Sequence, residues 1–113
     1  MTVYVPDSNG SFTADAGDDI TLNVSVVTLN GTPKDLTGAT AIEYFIAKSK
    51  CSAPIYTKTL GDGVSAPSAN TFTIELTSIE TDELCGVYYH ECTVTDAAGK
   101  KAKVFKSTNV VFE

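Results

Sequence analysis

Hydrophobic and polar residues alternate with a period of two along most of this chain. In one run, the apolar residues Ile20, Leu22, Val24 and Val26 occupy every second position. A period of two places successive side chains on opposite faces of a β-strand, so this run predicts a strand with one buried face. The same pattern predicts strands at Ala41 to Ala47, Ile55 to Leu60, Thr71 to Leu76, Val87 to Thr95 and Lys101 to Phe112, with short edge strands at Thr2 to Val5 and Phe12 to Ala14.

Turn-forming residues separate these runs. Asn30-Gly31, Gly61-Asp62-Gly63 and the segment Asp96-Ala97-Ala98-Gly99 combine residue types that initiate turns or accept positive φ angles. About seven short strands, with a turn roughly every 8 to 12 residues, are typical of an antiparallel β-sandwich. The sequence therefore predicts an all-β fold.

Two local signals interrupt the alternation. The segment Thr77-Ser78-Ile79-Glu80 has the hydroxyl and carboxylate spacing of a capping box. It predicts one short helical turn over Thr77 to Leu84. Within the last run, Ser107-Thr108-Asn109 predicts a β-bulge or a strand switch.

Length and charge narrow the classes of fold and partner. The 113 residues suit one domain with one core, so we expect a single domain over residues 1–113, with 1–14 as an N-terminal arm or edge strand. The 8 basic and 14 acidic residues give a net charge of −6, which repels phosphate backbones and anionic lipids. We therefore expect no nucleic acid and no membrane as a partner. The N-terminus has neither a basic start nor an apolar run, which favours synthesis and retention in a cytosol.

The reactive residue types form no recognisable catalytic set. His90 is the one histidine, so neither a nucleophile activated by a histidine nor a multi-histidine metal site can be built. We expect it to be a core or interface residue, and we expect no enzyme activity and no cofactor. The odd cysteine count, Cys51, Cys85 and Cys92, differs from the even number of a disulfide framework and predicts reduced thiols.

One acidic segment is a candidate metal site. Asp15, Asp18 and Asp19 lie close together in the sequence, and loop carboxylates at one end of a β-sandwich can gather around calcium with backbone carbonyls. Their spacing differs from that of an EF-hand loop. A solvated acidic turn is the alternative interpretation.

Two segments carry a resemblance to a known family. Gly31-Thr32-Pro33-Lys34-Asp35-Leu36-Thr37-Gly38-Ala39-Thr40, followed by the strand Ile42-Glu43-Tyr44-Phe45-Ile46, resembles the opening half of small Ig-like domains in tailed-phage structural proteins, including the N-terminal domain of upper baseplate proteins. The segment from Leu84 to Gly99 is similar to the family's leucine, glycine, tyrosine strand that ends at an Asp-x-x-Gly turn. The resemblance covers roughly residues 15 to 113 and implies an immunoglobulin-like antiparallel β-sandwich.

The resemblance also implies a role without catalytic residues. It predicts a virion structural protein of the tail, neck, baseplate or capsid surface, made in the host cytoplasm and located on the particle. Its expected partners are other virion proteins and further copies of itself, because symmetric particles supply equivalent sites. A free-standing binding module for carbohydrate or a host surface protein, with or without calcium in the acidic segment, is the alternative hypothesis.

Two aromatic residues are candidates for a contact patch. Alternation places Phe45 and Tyr89 on the outward faces of strands that can be neighbours in one sheet. Exposed aromatic side chains often anchor interfaces. The alternative is that loops or the opposite sheet cover them.

Overall fold

Nine β-strands and one helical turn make up the described part of the chain. The computed structural model describes residues 11–26 and 32–113 in full and the backbone of 2–5. The predicted turn at Asn30-Gly31 lies outside these residues. The elements are β1 Thr2–Val5, β2 Phe12–Ala14, β3 Ile20–Ser25, β4 Ala41–Ala47, β5 Pro54–Leu60, β6 Gly63–Val64, β7 Thr71–Leu76, α1 Ser78–Thr81, β8 Gly86–Thr95 and β9 Lys101–Phe112.

The strands form one mixed sheet in the order β1-β3-β7-β6-β5-β4-β8-β9-β2. Pairing is parallel between β1 and β3, between β2 and β9, and between β5 and β6, and antiparallel elsewhere. The all-β prediction is confirmed, but the strands are nine rather than about seven and the pairing is not wholly antiparallel. Alternation indicates where a strand lies in the sequence but not which strand it pairs with. β2, for example, pairs with β9 near the other end of the sequence.

The sheet curls around one hydrophobic core. Leu22 of β3 is paired with Ile74 of β7, and both are fully buried. They belong to the same core cluster as Ile42 and Tyr44 of β4 and as residues of β8 and β9. The buried face predicted for β3 is confirmed for Ile20, Leu22 and Val24, with Val26 half-buried, because the curl brings the apolar face of β3 and β7 towards that of β4, β8 and β9.

Both local sequence signals are found in the structure. Thr77 caps α1 with a capping box, in which its side chain accepts from the Glu80 backbone N–H and the Glu80 side chain accepts from the Thr77 backbone N–H. The helical turn ends at Thr81, earlier than predicted. In the last run, Tyr88 pairs with Val110 and His90 pairs with Ser107, so two residues of β9 lie opposite one residue of β8. This is the predicted bulge.

Candidate functional site

The solvent-facing side of strands β5, β4, β8 and β9 is the candidate contact surface, and we call it the outer face. Cross-strand partners in a sheet share a face. Phe45 pairs with Glu91, and Glu91 pairs with Lys106, so these three side chains lie on one side of the sheet, opposite the buried Tyr44 and Cys92. By the same register the outer face includes Glu43, Thr57, Val87, Tyr89, Thr93, Lys101, Lys103 and Val111.

The predicted aromatic pair lies near the middle of the outer face. The ring centroids of Phe45 and Tyr89 are 6.1 Å apart, which confirms that the two side chains are neighbours. Phe45 is half-buried and only 3% of Tyr89 is exposed, so Tyr89 has the covered position that the sequence left open, and a contact patch at this pair stays a prediction. The ring lies beside Phe45 in a tilted arrangement, and its hydroxyl donates a 2.6 Å hydrogen bond to Oε1 of Glu91. Burial, then the Glu91 carboxylate, raises the pKa of Tyr89 to about 12.

Charges on the outer face are arranged by strand. Glu43 and Glu91 stand on β4 and β8, whereas Lys101, Lys103 and Lys106 stand on β9 at the side. Within one chain, Lys103 Nζ lies 3.6 Å from Glu91 Oε1. The Glu91 side chain is 13% exposed and that of Lys103 is 49% exposed. The outer face thus has an acidic side and a basic side.

Exposed apolar residues add to this surface. Among the residues that the structure describes, the exposed large hydrophobic side chains are Ile55, Ile79 and Val87. Val87, at 53% exposed, belongs to the outer face, and Ile55, at 42%, lies in β5 where the register with β4 shifts. Val87 is paired with the half-buried Val111. An apolar area rimmed by charges is the composition of many protein contact sites.

The acidic segment of Asp15, Asp18 and Asp19 is bound to the helical turn α1. Asp19 Oδ1 accepts a 2.7 Å hydrogen bond from the Ser78 backbone N–H, at the first residue of α1. The buried Thr81 hydroxyl donates to the Asp18 carbonyl at 2.7 Å and accepts from the Gly17 N–H at 3.0 Å. The segment therefore anchors α1 to the start of β3.

This arrangement gives the acidic segment a structural task. In the described ranges, no group of three or more His, Cys, Asp or Glu side chains is placed to hold a metal ion. The three carboxylates are close together in the sequence. In the fold, the Asp19 carboxylate accepts a hydrogen bond from the first residue of α1. Calcium binding at Asp15, Asp18 and Asp19 stays a prediction.

His90 lies in the core, as one of the two predicted locations. It is fully buried, and its Nδ1 is 3.0 Å from the Tyr44 hydroxyl. Phe105 and Phe12 flank the imidazole at centroid distances of 4.8 and 5.6 Å. Burial raises the pKa of Tyr44, so the hydroxyl stays protonated and can bond to His90. The pair fills the core with a satisfied polar contact.

A second tyrosine holds the connection between α1 and β8. The Tyr88 hydroxyl accepts from the Cys85 backbone N–H at 2.9 Å and donates to the Cys85 carbonyl at 3.1 Å. Its ring packs edge-on to Phe112 at 6.1 Å, and Lys48 Nζ lies 4.9 Å from the ring centroid. The alternation of residues 87–95 does not predict these two hydrogen bonds of Tyr88. The spacing of Leu84, Gly86 and Tyr88 is the sequence signal that could have indicated these two hydrogen bonds.

Comparisons with known proteins give no family for this chain: no family model matches it, and no curated protein matches it. Within the described residues, no helix has the length and apolar character needed to cross a membrane.

Proposed function

We propose that this chain is a non-enzymatic structural protein of a bacteriophage virion, in the tail, neck, baseplate or capsid decoration, and that it acts through protein–protein contacts. Its location is then the particle, after synthesis in the host cytoplasm. The fold proposed with this role is an immunoglobulin-like β-sandwich over residues 1–113.

Strand order and one corner support the immunoglobulin-like fold. In that fold one sheet pairs the second and fifth strands, and the other places the third, sixth and seventh side by side. Here β3 and β7 correspond to the second and fifth strands, and they pair. β4, β8 and β9 correspond to the third, sixth and seventh strands, and they are neighbours. The hydrogen bonds of Tyr88 to Cys85, just before β8, match the tyrosine corner that marks the start of the sixth strand.

The outer face is the observation that carries the contact role. It combines the exposed Val87 with an acidic and a basic side on neighbouring strands of one sheet. A rigid sheet presents such groups in fixed positions at little entropic cost, which suits a repeated contact on a particle.

The reactive residue types have positions that suit a structural protein. His90 is enclosed by aromatic rings, and burial, with smaller effects of Glu43 and Glu91, raises the pKa of the Cys92 thiol. A thiol held in its neutral form is a poor nucleophile. His90 and Cys92 therefore belong to the core.

Cosedimentation with phage particles tests the proposal. Particles released from the strain that encodes this chain would be purified through a density gradient and probed with antibody against the chain. We expect the protein in the particle fraction, at a constant ratio to the capsid protein after a wash in high salt. Recovery of the protein only in the particle-free lysate would contradict the proposal.

A further inference from the structure

Side chains of the outer face stand at matching heights on the two sides of β8. Glu43 of β4 and Lys103 of β9 are both cross-strand partners of the same residue, Thr93 of β8. They therefore stand at the same height along the strands, one on each side of β8. Phe45 and Lys106 stand in the same relation on the two sides of Glu91.

We propose that the outer face binds a second copy of this chain, through a two-fold axis that lies in the plane of the face and runs along β8. This inference rests on the proposed function, in which the chain works through contacts that include its own copies. A two-fold contact uses the same patch on both copies, so each pair of residues occurs twice.

Rotation about β8 exchanges the positions on its two neighbours. Glu43 of one copy then faces Lys103 of the other, and Phe45 faces Lys106, a pairing in which an ammonium group meets an aromatic ring. Packed sheets lie about 10 Å apart, a gap that glutamate and lysine side chains span from opposite sides. The contact thus contains two ion pairs and two cation–π pairs.

The charges select this axis over the other in-plane axis. An axis perpendicular to the strands would place each strand opposite the same strand of the second copy. The lysines of β9 would then face the lysines of the partner's β9, and Glu43 would face the partner's β4. Like charges across an interface are costly. The axis along β8 avoids this on both flanking strands.

Residues on the axis meet their own copies. Val87 is 53% exposed and meets the same apolar side chain, which buries it. Glu91 also lies on the axis, but its carboxylate already accepts from the Tyr89 hydroxyl and faces Lys103 within its own chain. Its charge is therefore partly neutralised before the copies meet.

The size of the face sets the expected affinity. β4 and β9 flank β8, so the patch that this axis brings together is β4, β8 and β9 of each copy. Three strands about 4.8 Å apart and about 27 Å long present roughly 390 Å² per copy in projection, in the range of weak and transient contacts. We expect a reversible dimer with a dissociation constant on the order of micromolar in solution. On a particle, many linked copies would strengthen the same contact.

Charge reversal tests the axis. Sedimentation equilibrium of the wild-type chain from about 1 µM to about 1 mM is expected to approach twice the 11.9 kDa mass of one copy. Glu43→Lys and Lys103→Glu each create two like-charge pairs, so each is expected to weaken the dimer about 100-fold. An equimolar mixture of the two variants restores both ion pairs and is expected to restore the dimer mass.

A matched control separates charge from position. Glu75→Lys makes the same change of charge on the exposed side of β7, away from the outer face, and is expected to leave the dissociation constant unchanged. Circular dichroism checks that all variants are folded. A wild-type monomer at about 1 mM, equal weakening by Glu75→Lys, or a mixture that stays monomeric would each overturn the inference. None of these results bears on whether particles contain the protein, which cosedimentation decides.

Discussion

The Tyr88 hydroxyl gives the sharpest test of the fold. Tyr88→Phe removes one oxygen and keeps the ring that packs on Phe112. Two hydrogen bonds are lost, to the N–H and the carbonyl of Cys85, at 2.9 and 3.1 Å. At about 1 kcal/mol each, their loss lowers the free energy of unfolding by about 2 kcal/mol. For 113 residues the entropy of unfolding is about 240 cal/mol/K, so the expected fall in Tm is about 8 °C.

Thermal melting followed by circular dichroism measures this fall, with Tyr56→Phe as the matched control. The Tyr56 hydroxyl donates to Glu83 Oε2 at 3.0 Å on the exposed surface. Its loss is expected to lower Tm by less than about 2 °C, since exposed polar contacts contribute little. Equal melting temperatures for the two variants would refute the corner as a stabilising element of the start of β8.

Three further predictions concern titration, thiols and metal. Burial raises the pKa of Glu80, but hydrogen bonds from Lys58 and Thr77 outweigh it and hold the pKa below its ordinary value of 4.5. The charged Glu80 carboxylate therefore stabilises the fold above pH 4.5, and this stabilisation is lost as the pH falls through the lowered pKa. The Tm difference between wild type and Glu80→Gln should shrink over the same range. A difference that is unchanged at pH 3 would contradict this prediction. A thiol reagent should titrate two cysteines in the native chain and Cys92 only after denaturation, since Cys92 is buried and the other two are exposed. Rapid reaction of all three cysteines in the native protein would contradict the buried position of Cys92. Excess calcium should leave Tm unchanged, because Asp19 already bonds to α1; a rise in Tm that Asp18→Asn abolishes would instead establish the calcium site.

The sequence predicted the strands well because burial follows the alternation. Residues 41–47 and 71–76 were predicted with the bounds that the structure has, and the alternating Ile42, Tyr44 and Ile46 are buried. The capping box was equally local, since Thr77 and Glu80 are three residues apart in the sequence and bond to each other. Local patterns are sufficient for features of this kind.

Features that depend on pairing over long distances could not be predicted. The parallel pairing of β2 with β9 joins residues 12–14 to residues 110–112, and no local pattern records it. Alternation gives the side of the strand on which Tyr89 lies but not its exposure, which is 3% beside Phe45 of a neighbouring strand. Likewise, the relation of Glu43 and Lys103 through Thr93 exists only once the register of three strands is known.

The number of copies of this chain on purified phage particles tests the central claim most directly. Quantitative mass spectrometry with isotope-labelled peptides would compare this chain with the major capsid protein in gradient-purified particles. A virion structural protein is expected at a fixed and reproducible copy number, at least as high as the rotational symmetry of the structure it joins. A copy number far below one per particle, or one that varies between preparations, would contradict the account.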